Sequence, residues 1–401
     1  MLTTQKPQEA RHSFYRAERP TPVPERPQLQ VDQPDLAVAD DFSRDVYCVL
    51  GVPIDAIGKT AVLGRIRDAA RTRTRLLIST PNLNFLVASR SDRSFRDSLI
   101  LSDLCTVDGM PVVWIARLVG IPIKSRVAGA DIFDALKFDT NSRPSLKIFL
   151  FGGPEGAAEK AAAALNSRIG GPKCVGWSNP GFCSAEEMSG DDIIENINAS
   201  GADFLIASLS SQKGQSWLQR NHQRLRIPVR AHLGAALNFQ AGTVKRAPPI
   251  LRKLGFEWLW RIKEEPYLWR RYWSDGKAML RLLFTHVLPF AFWTWWMRRT
   301  GERGEALTVT QDYGSRTVTL SLSGPADARH VDRAIRAFRA ATASRKQVVL
   351  DFSDVCAVDA RFLGLLMMLR KRLEAQGCSA TLRGVSPLMA RIFRLGGLEF
   401  P

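Results

Sequence analysis

Apolar residues fall in short runs along most of the chain, with helical stretches between them. Val46–Leu50, Leu76–Ser79, Leu104–Val107, Ile148–Phe151, Lys173–Gly176, Phe204–Ala207 and Val229–Leu233 each read as a buried strand. Thr60–Arg71, Asn84–Ser91 and Gly156–Ile169 carry helical periodicity between those runs. Strands alternating with helices predict an α/β fold with a mostly parallel sheet, whose ligands bind beyond the C-terminal strand ends. Near Gly242 the pattern changes, and after Gly301–Gly304 a second rhythm begins. Its strands are expected near Leu307–Thr310, Thr317–Ser323 and Gln347–Phe352, with a helix over Arg361–Gln376, enough for a small α/β domain. The expected organisation is a tail at 1–42, a core at 43–242, an appendage at 243–303 and a small domain at 305–401.

Composition narrows the classes. Hydrophobic residues at 45% and charged residues at 24% suit a globular protein and exclude a polytopic membrane protein. The tail, broken by Pro7, Pro20, Pro22, Pro24, Pro27 and Pro34, reads as disordered and lacks the apolar run of a signal peptide. Lysine and arginine number 56 against 39 acidic residues, so the surface attracts polyanions. No nucleic-acid-binding motif accompanies the charge, which favours phosphorylated substrates or anionic lipid over nucleic acid. Six scattered cysteines without Cys-x-x-Cys spacing argue against structural zinc and disulfides, and point to a reducing cytosol.

The appendage concentrates 13 basic residues and seven of the ten tryptophans between Gly242 and Arg303. Its most apolar stretch, Leu282–Met297, is short for a bilayer span and holds His286 and Pro289. Interfacial insertion is the expectation, because indole rings and arginine stems bury while their polar ends stay hydrated.

Candidate chemistry gathers at the predicted strand ends. Asp108 directly follows the Leu104–Val107 run, where a carboxylate could deprotonate an acceptor hydroxyl or simply cap the next helix. Thr80-Pro-Asn82 follows another strand, and Arg126 lies beyond the next helix with Gly129 and Asp131. Gly152-Gly153-Pro-Glu-Gly156 joins a strand to an alanine-rich helix; it is either a diphosphate cradle or a plain turn. Gly58-Lys59-Thr60 is not a P-loop, since Pro53 stands where that loop needs glycine. No Asp-x-Asp metal clamp occurs, so no metal or other cofactor is expected, and arginines and helix dipoles would hold a leaving diphosphate.

Asp108-Gly-Met-Pro-Val-Val-Trp114 followed by Arg126-Val-Ala-Gly-Ala-Asp131 resembles the signature of the WecG/TagA/CpsF glycosyltransferases. Similar blocks recur in family order: Leu50–Asp55, Thr80–Asn82, Phe151–Gly153 with Ala158–Lys160, Gly242–Pro248, and Leu254–Arg261 with Glu265-Pro266 and Arg271-Tyr272. The resemblance implies a Rossmann-like core and an enzyme that uses a UDP-sugar donor and a polyprenyl-diphosphate-linked acceptor at the inner face of the cytoplasmic membrane. It implies Asp108 as base with Thr80 beside it, and substrate contacts from Asn82, Arg126, Gly152, Gly153, Lys213, Gln215, Arg261 and Arg271. Gly214 stands where the family usually has glutamine, with Gln215 next to it, and Leu268 stands where many members have arginine.

Val348–Ser353, Val358–Gly364 and Gly377–Ser386 are similar to STAS domains. Ala360 and Arg361 occupy the places where regulatory STAS proteins carry a phosphorylatable serine, which leaves docking of a protein partner or a small ligand. Two readings compete with a transferase: a nucleotide-sugar oxidoreductase, weakened by the missing dinucleotide fingerprint, and a non-catalytic STAS scaffold at a membrane surface.

Overall fold

The computed structural model describes residues 37–38, 40–138, 144–234, 236–242, 244–300 and 306–398. The predicted tail up to residue 36 and the linker around 301–305 lie outside the described residues. From residue 36 onward the chain forms one compact unit, so the core, the appendage and the C-terminal unit share packing.

The strands, in chain order, are β1 (Ala37–Val38), β2 (Val46–Val49), β3 (Val52–Asp55), β4 (Thr74–Ser79), β5 (Leu104–Cys105), β6 (Lys147–Gly152) and β7 (Lys173–Ser178). They continue with β8 (Phe204–Ser208), β9 (Val229–His232), β10 (Thr308–Tyr313), β11 (Thr317–Ala326), β12 (Gln347–Val358) and β13 (Ala380–Arg383). Among the described residues, the main sheet runs β1-β4-β9-β8-β6-β7 with β5 added beside β4, and every pairing in it is parallel. This is the Rossmann-like architecture expected from alternating strands and helices. The central strands are buried along their whole length because helices cover both faces.

Helices Lys59–Thr72, Gly129–Lys137 and Ala157–Asn166 close one face of the sheet, packing Ile66, Phe133 and Leu165 under it. Trp217 stacks on Phe151 at 4.2 Å on the other. The Val46–Leu50 run does not join this sheet. Leu50 and Gly51 take φ of +51° and +84°, and this two-residue reversal folds β2 antiparallel onto β3.

That hairpin lies against the C-terminal unit. There β10-β11-β12-β13 form a mixed sheet, antiparallel only between β10 and β11, with helix Ala360–Glu374 against β2. One hydrophobic core runs through both, joining Val46 and Ile54 to Phe338, Phe352, Phe362 and Phe393. Gly364 makes the close approach possible: a Cβ there would stand 2.3 Å from the Val46 carbonyl oxygen.

The appendage is helical. Trp269–Leu282 and Leu288–Thr300 are continuous through a π-helical turn at Leu283–Val287. Pro289 explains the turn, since it has no N–H for the helical ladder. Val287, Phe290, Thr294 and Met297 face inward, and Leu280, Phe284, Leu288, Phe292, Trp295 and Trp296 face solvent. No helix among the described residues is long and apolar enough to cross a membrane.

Candidate active site

The C-terminal ends of β4, β5, β6, β8 and β9 meet along one edge of the sheet, and Asp108 sits there. Its position is set by backbone bonds: Thr106 N–H donates to Ser79 at 3.0 Å, Asp108 N–H to Pro81 at 2.9 Å, and Val127 N–H to Val107 at 2.9 Å. The expected cap of the following helix is absent. Gly109, at φ +102°, begins helix Met110–Leu118 with no side-chain cap. Asp108 instead accepts from the Gly129 N–H at the start of helix Gly129–Lys137. Burial raises its carboxyl to about 6; Arg126 and the Gly129 N–H hold it down, while Glu257 and Asp131 push it up. A carboxylate poised near neutrality is suited to proton abstraction.

Arg126 is held between Glu257, at 2.5 Å, and Asp131, at 3.2 Å. Glu257 opens helix Glu257–Glu264 of the appendage, so the appendage closes on the sheet edge that holds Asp108. Arg246 bonds Asp131 and Asp134 and lies 3.7 Å from Glu257, and Arg252 stands 3.9 Å from Asp131. Arg246 and Arg261 each lie over the Phe239 ring, at 5.8 and 5.4 Å from its centre. Arg246, Arg252 and Arg261 each keep a buried Nε–H with no hydrogen-bond partner. Three orphaned guanidinium donors in one cluster make a site with unfilled capacity for an anion.

Thr80 is buried at the end of β4, and Asn82 caps helix Leu83–Ser91 by accepting from the Phe85 N–H at 3.3 Å. Gly152 ends β6 and Gly153 follows it, at φ +83° and +92°, where a Cβ would stand 2.7 Å from Leu209 and 2.8 Å from Leu237. The helix after them, Ala157–Asn166, starts at Gly156 without a side-chain cap.

Three predicted substrate contacts stand apart from this cluster. Gln215 is buried under the sheet edge, donating to Ser79 at 2.5 Å and Ser102 at 3.2 Å, so it packs the core and does not fill the place left by Gly214. His232 does that instead: a Cβ at Gly214 would stand 2.2 Å from its ring. Lys213 donates to the Cys183 carbonyl at 2.6 Å. Arg271 is exposed on helix Trp269–Leu282, its guanidinium 5.3 Å from the Tyr272 ring. That helix touches the cleft through Asp275, bonded to Asn84 at 3.4 Å, and Asn84 in turn accepts from Ser211 at 3.2 Å. Leu268 is buried. Glu257, Asp134 and Phe239 were not singled out in the sequence. Glu257 lies inside the Leu254–Arg261 block and at an acidic helix opening, which a favourable helix dipole explains locally.

The family model described as the "Glycosyl transferase WecG/TagA/CpsF family" matches residues 47–290, more than half of the chain. The chain belongs to this family. It is therefore a glycosyltransferase, and a second model, "Mlab, STAS domain", matches residues 309–399, which makes the C-terminal unit a STAS domain. Among curated relatives, the N-acetylglucosaminyldiphosphoundecaprenol N-acetyl-beta-D-mannosaminyltransferase of Bacillus subtilis (strain 168) is 27% identical over 52% of this chain and 78% of its own length. The enzyme of the same name from Staphylococcus aureus (strain MW2) is 24% identical over 56% of this chain and 85% of its own. Both alignments cover about half of this WecG/TagA/CpsF member.

Proposed function

We propose that this glycosyltransferase moves a sugar, with inversion, from a UDP-sugar to a polyprenyl-diphosphate-linked acceptor at the inner face of the cytoplasmic membrane, in exopolysaccharide or another cell-surface polysaccharide. The observation that carries the reading is the meeting of Asp108 with the arginine cluster of Arg126, Arg246, Arg252 and Arg261. Inversion needs a base on the acceptor hydroxyl as it attacks the anomeric carbon, and Asp108, poised near 6, takes that proton. The leaving diphosphate gathers negative charge, and preorganised guanidinium donors with the uncapped helix start after Gly152-Gly153 offset it. Arg126 and Arg246 would then exchange carboxylate partners for phosphate oxygens. Thr80 and Asn82 line the acceptor side, and Arg271 meets the acceptor diphosphate at the rim.

The relatives' printed name supports a lipid-diphosphate acceptor carrying N-acetylglucosamine. The exposed aromatic face at Phe292, Trp295 and Trp296, with Arg299 4.8 Å from the Trp295 ring, supports peripheral attachment to anionic lipid. Arginine neutralisation of the diphosphate supports turnover without a divalent metal.

The test is a screen of labelled UDP-sugars with an N-acetylglucosaminyl-diphosphate-polyprenol analogue, scoring product and anomeric configuration, with and without EDTA. Transfer with inversion that survives EDTA is expected. Retention of configuration overturns the base assignment, and loss of turnover restored by manganese overturns the metal-independent mechanism.

A further inference from the structure

The strand that delivers Asp108 is short. β5 is two residues long and, among the described residues, pairs with β4 alone, through Ile78 with Leu104 and Ser79 with Cys105. So short an edge strand has little ladder of its own to fix its position. Backbone bonds extend the hold on either side, from Asp103 N–H to Leu77 at 2.8 Å, Thr106 N–H to Ser79 at 3.0 Å and Asp108 N–H to Pro81 at 2.9 Å, and two buried carboxylates add to it. Asp103 Oδ2 accepts the Leu77 N–H at 2.9 Å, and Asp55 Oδ2 accepts the Cys105 N–H at 2.7 Å.

Those carboxylates are neutralised from different places. Arg44 grips Asp55 with Nε at 3.1 Å and Nη2 at 2.9 Å, and also reaches Asp41 at 2.9 Å and the Ser102 carbonyl at 2.9 Å. Asp103 is met by Lys371, from helix Ala360–Glu374 of the STAS domain. Lys371 Nζ lies 3.0 Å from Asp103 Oδ1, 2.9 Å from Asp41 Oδ1 and 3.3 Å from the Ser102 carbonyl. Lys371 and Arg44 together contact three buried carboxylates, with the buried Arg230 acting on Asp103 from β9, so withdrawing the lysine leaves Asp103 and Asp41 without their Lys371 contact in a place with little water.

We propose that Lys371 of the STAS domain is a positioning residue for the transfer reaction, holding the β5 segment so that Asp108 projects correctly into the cleft. The proposal rests on Asp108 as the base. The path is short and continuous: from Asp103 the chain runs five residues to Asp108, and Thr106 Oγ1 ties it to the Val127 carbonyl at 2.8 Å on the way. The STAS domain is thus part of the catalytic scaffold. The same helix buries Arg361 against the hairpin, donating to the carbonyls of Val46 at 2.9 Å and Arg44 at 3.1 Å, which places the usual STAS switch position inside this contact.

The test uses the full chain with Lys371→Gln, Lys371→Met and Lys371→Arg, beside Asp108→Asn. The neutral variants are expected to lose roughly 10- to 100-fold in kcat with donor KM nearly unchanged, the cost of a small misplacement of a reacting group. Their acid limb should move below the wild-type value as Asp108, still flanked by Arg126, Glu257 and Asp131, regains water. Lys371→Arg, which keeps the charge, should restore most of the loss. A folded Lys371→Gln enzyme with wild-type kcat and acid limb overturns the proposal, as does a fall in kcat with an unmoved acid limb. Asp108→Asn that keeps full turnover instead removes the base assignment, a distinct failure. Hydrogen exchange of the wild-type chain supplies a measurement needing no variant. Amides of Cys105–Asp108 should exchange no faster than those of helix Ala360–Glu374, and exchange well ahead of that helix overturns the clamp.

Discussion

Arg126 Nη1 donates to Glu257 Oε2 at 2.5 Å, fastening a residue of the sheet edge to the first turn of an appendage helix 131 positions later. The bond makes the appendage an electrostatic part of the site, because the Glu257 carboxylate is also one of the charges that raise Asp108. Glu257→Gln removes a neighbouring negative charge and eases ionisation of Asp108. The acid limb of kcat/KM should therefore shift to lower pH. An unmoved limb in the folded variant would mean that Glu257 does not act on the base.

Asp108 itself should show a conflict between activity and stability. Its folded value, about 6, lies above the ordinary carboxyl value of 3.8, so the folded state holds the proton more tightly than the unfolded chain. The sign follows: the protonated group's contribution is complete below pH 3.8, declines as pH rises, and is gone above about 6. Asp108→Asn keeps an oxygen for the Gly129 N–H without the buried charge. At pH 8 it should be more stable than wild type by at most about 3 kcal/mol, while turnover falls by about two to four orders of magnitude. Urea titration at pH 4 and pH 8 checks this; an Asn variant that gains nothing between those two conditions contradicts the strained-carboxylate account.

Gly214 and His232 should behave as a coupled pair. His232 Nε2 bonds the Leu209 carbonyl at 2.9 Å, and since a carbonyl can only accept, Nε2 carries the proton. Gly214→Ala gains up to about 1 kcal/mol of helix propensity. The clash, with the new Cβ 2.2 Å from the ring, should outweigh that gain and leave a net loss of about 1–3 kcal/mol. In a His232→Ala background the clash disappears, so Gly214→Ala should become neutral or stabilising. Additive losses in the double-mutant cycle would show that the ring moves aside freely.

What could be read from the sequence follows from what local pattern encodes. Apolar runs of four to six residues marked the sheet strands, and a carboxylate directly after one of them placed Asp108 at the ligand edge. The same signal could not tell the β2–β3 hairpin from a sheet strand, since Val46–Val49 is buried on both sides in either setting. Arg361 and Lys371 are charged residues on a helix, a pattern that ordinarily means solvent; both are buried because the Arg44 and Val46 carbonyls meet Arg361 and the Asp41 and Asp103 carboxylates meet Lys371. Motif position predicted Gln215 as a substrate contact, but position along a helix does not reveal that its side chain turns toward Ser79 and Ser102. The convergence of Arg246, Arg252 and Arg261 on Phe239 and Asp131 is a tertiary fact that no spacing records.

The two-sided helix at 288–300 refines how membrane attachment should be tested. Removing it whole would expose the core that Val287, Phe290 and Met297 share with the STAS domain, and would confuse unfolding with release. Phe292, Trp295 and Trp296 are about half exposed, and the Phe292 ring is tilted to Trp295 at 6.3 Å and stacked with Trp296 at 6.2 Å. Replacing the three with serine removes the insertable face and leaves the buried one intact. The triple variant should keep its melting temperature and its transfer to a short, water-soluble acceptor. It should lose most of its sedimentation with vesicles rich in anionic phospholipid, since insertion scales with the apolar area buried. Raising salt should weaken the wild type's residual attraction through Arg281 and Arg299 within a Debye length of about 10 Å. Vesicle binding unchanged by the three substitutions would place the anchor elsewhere, with the exposed Trp269 and Trp273 of the preceding helix as the next face to test.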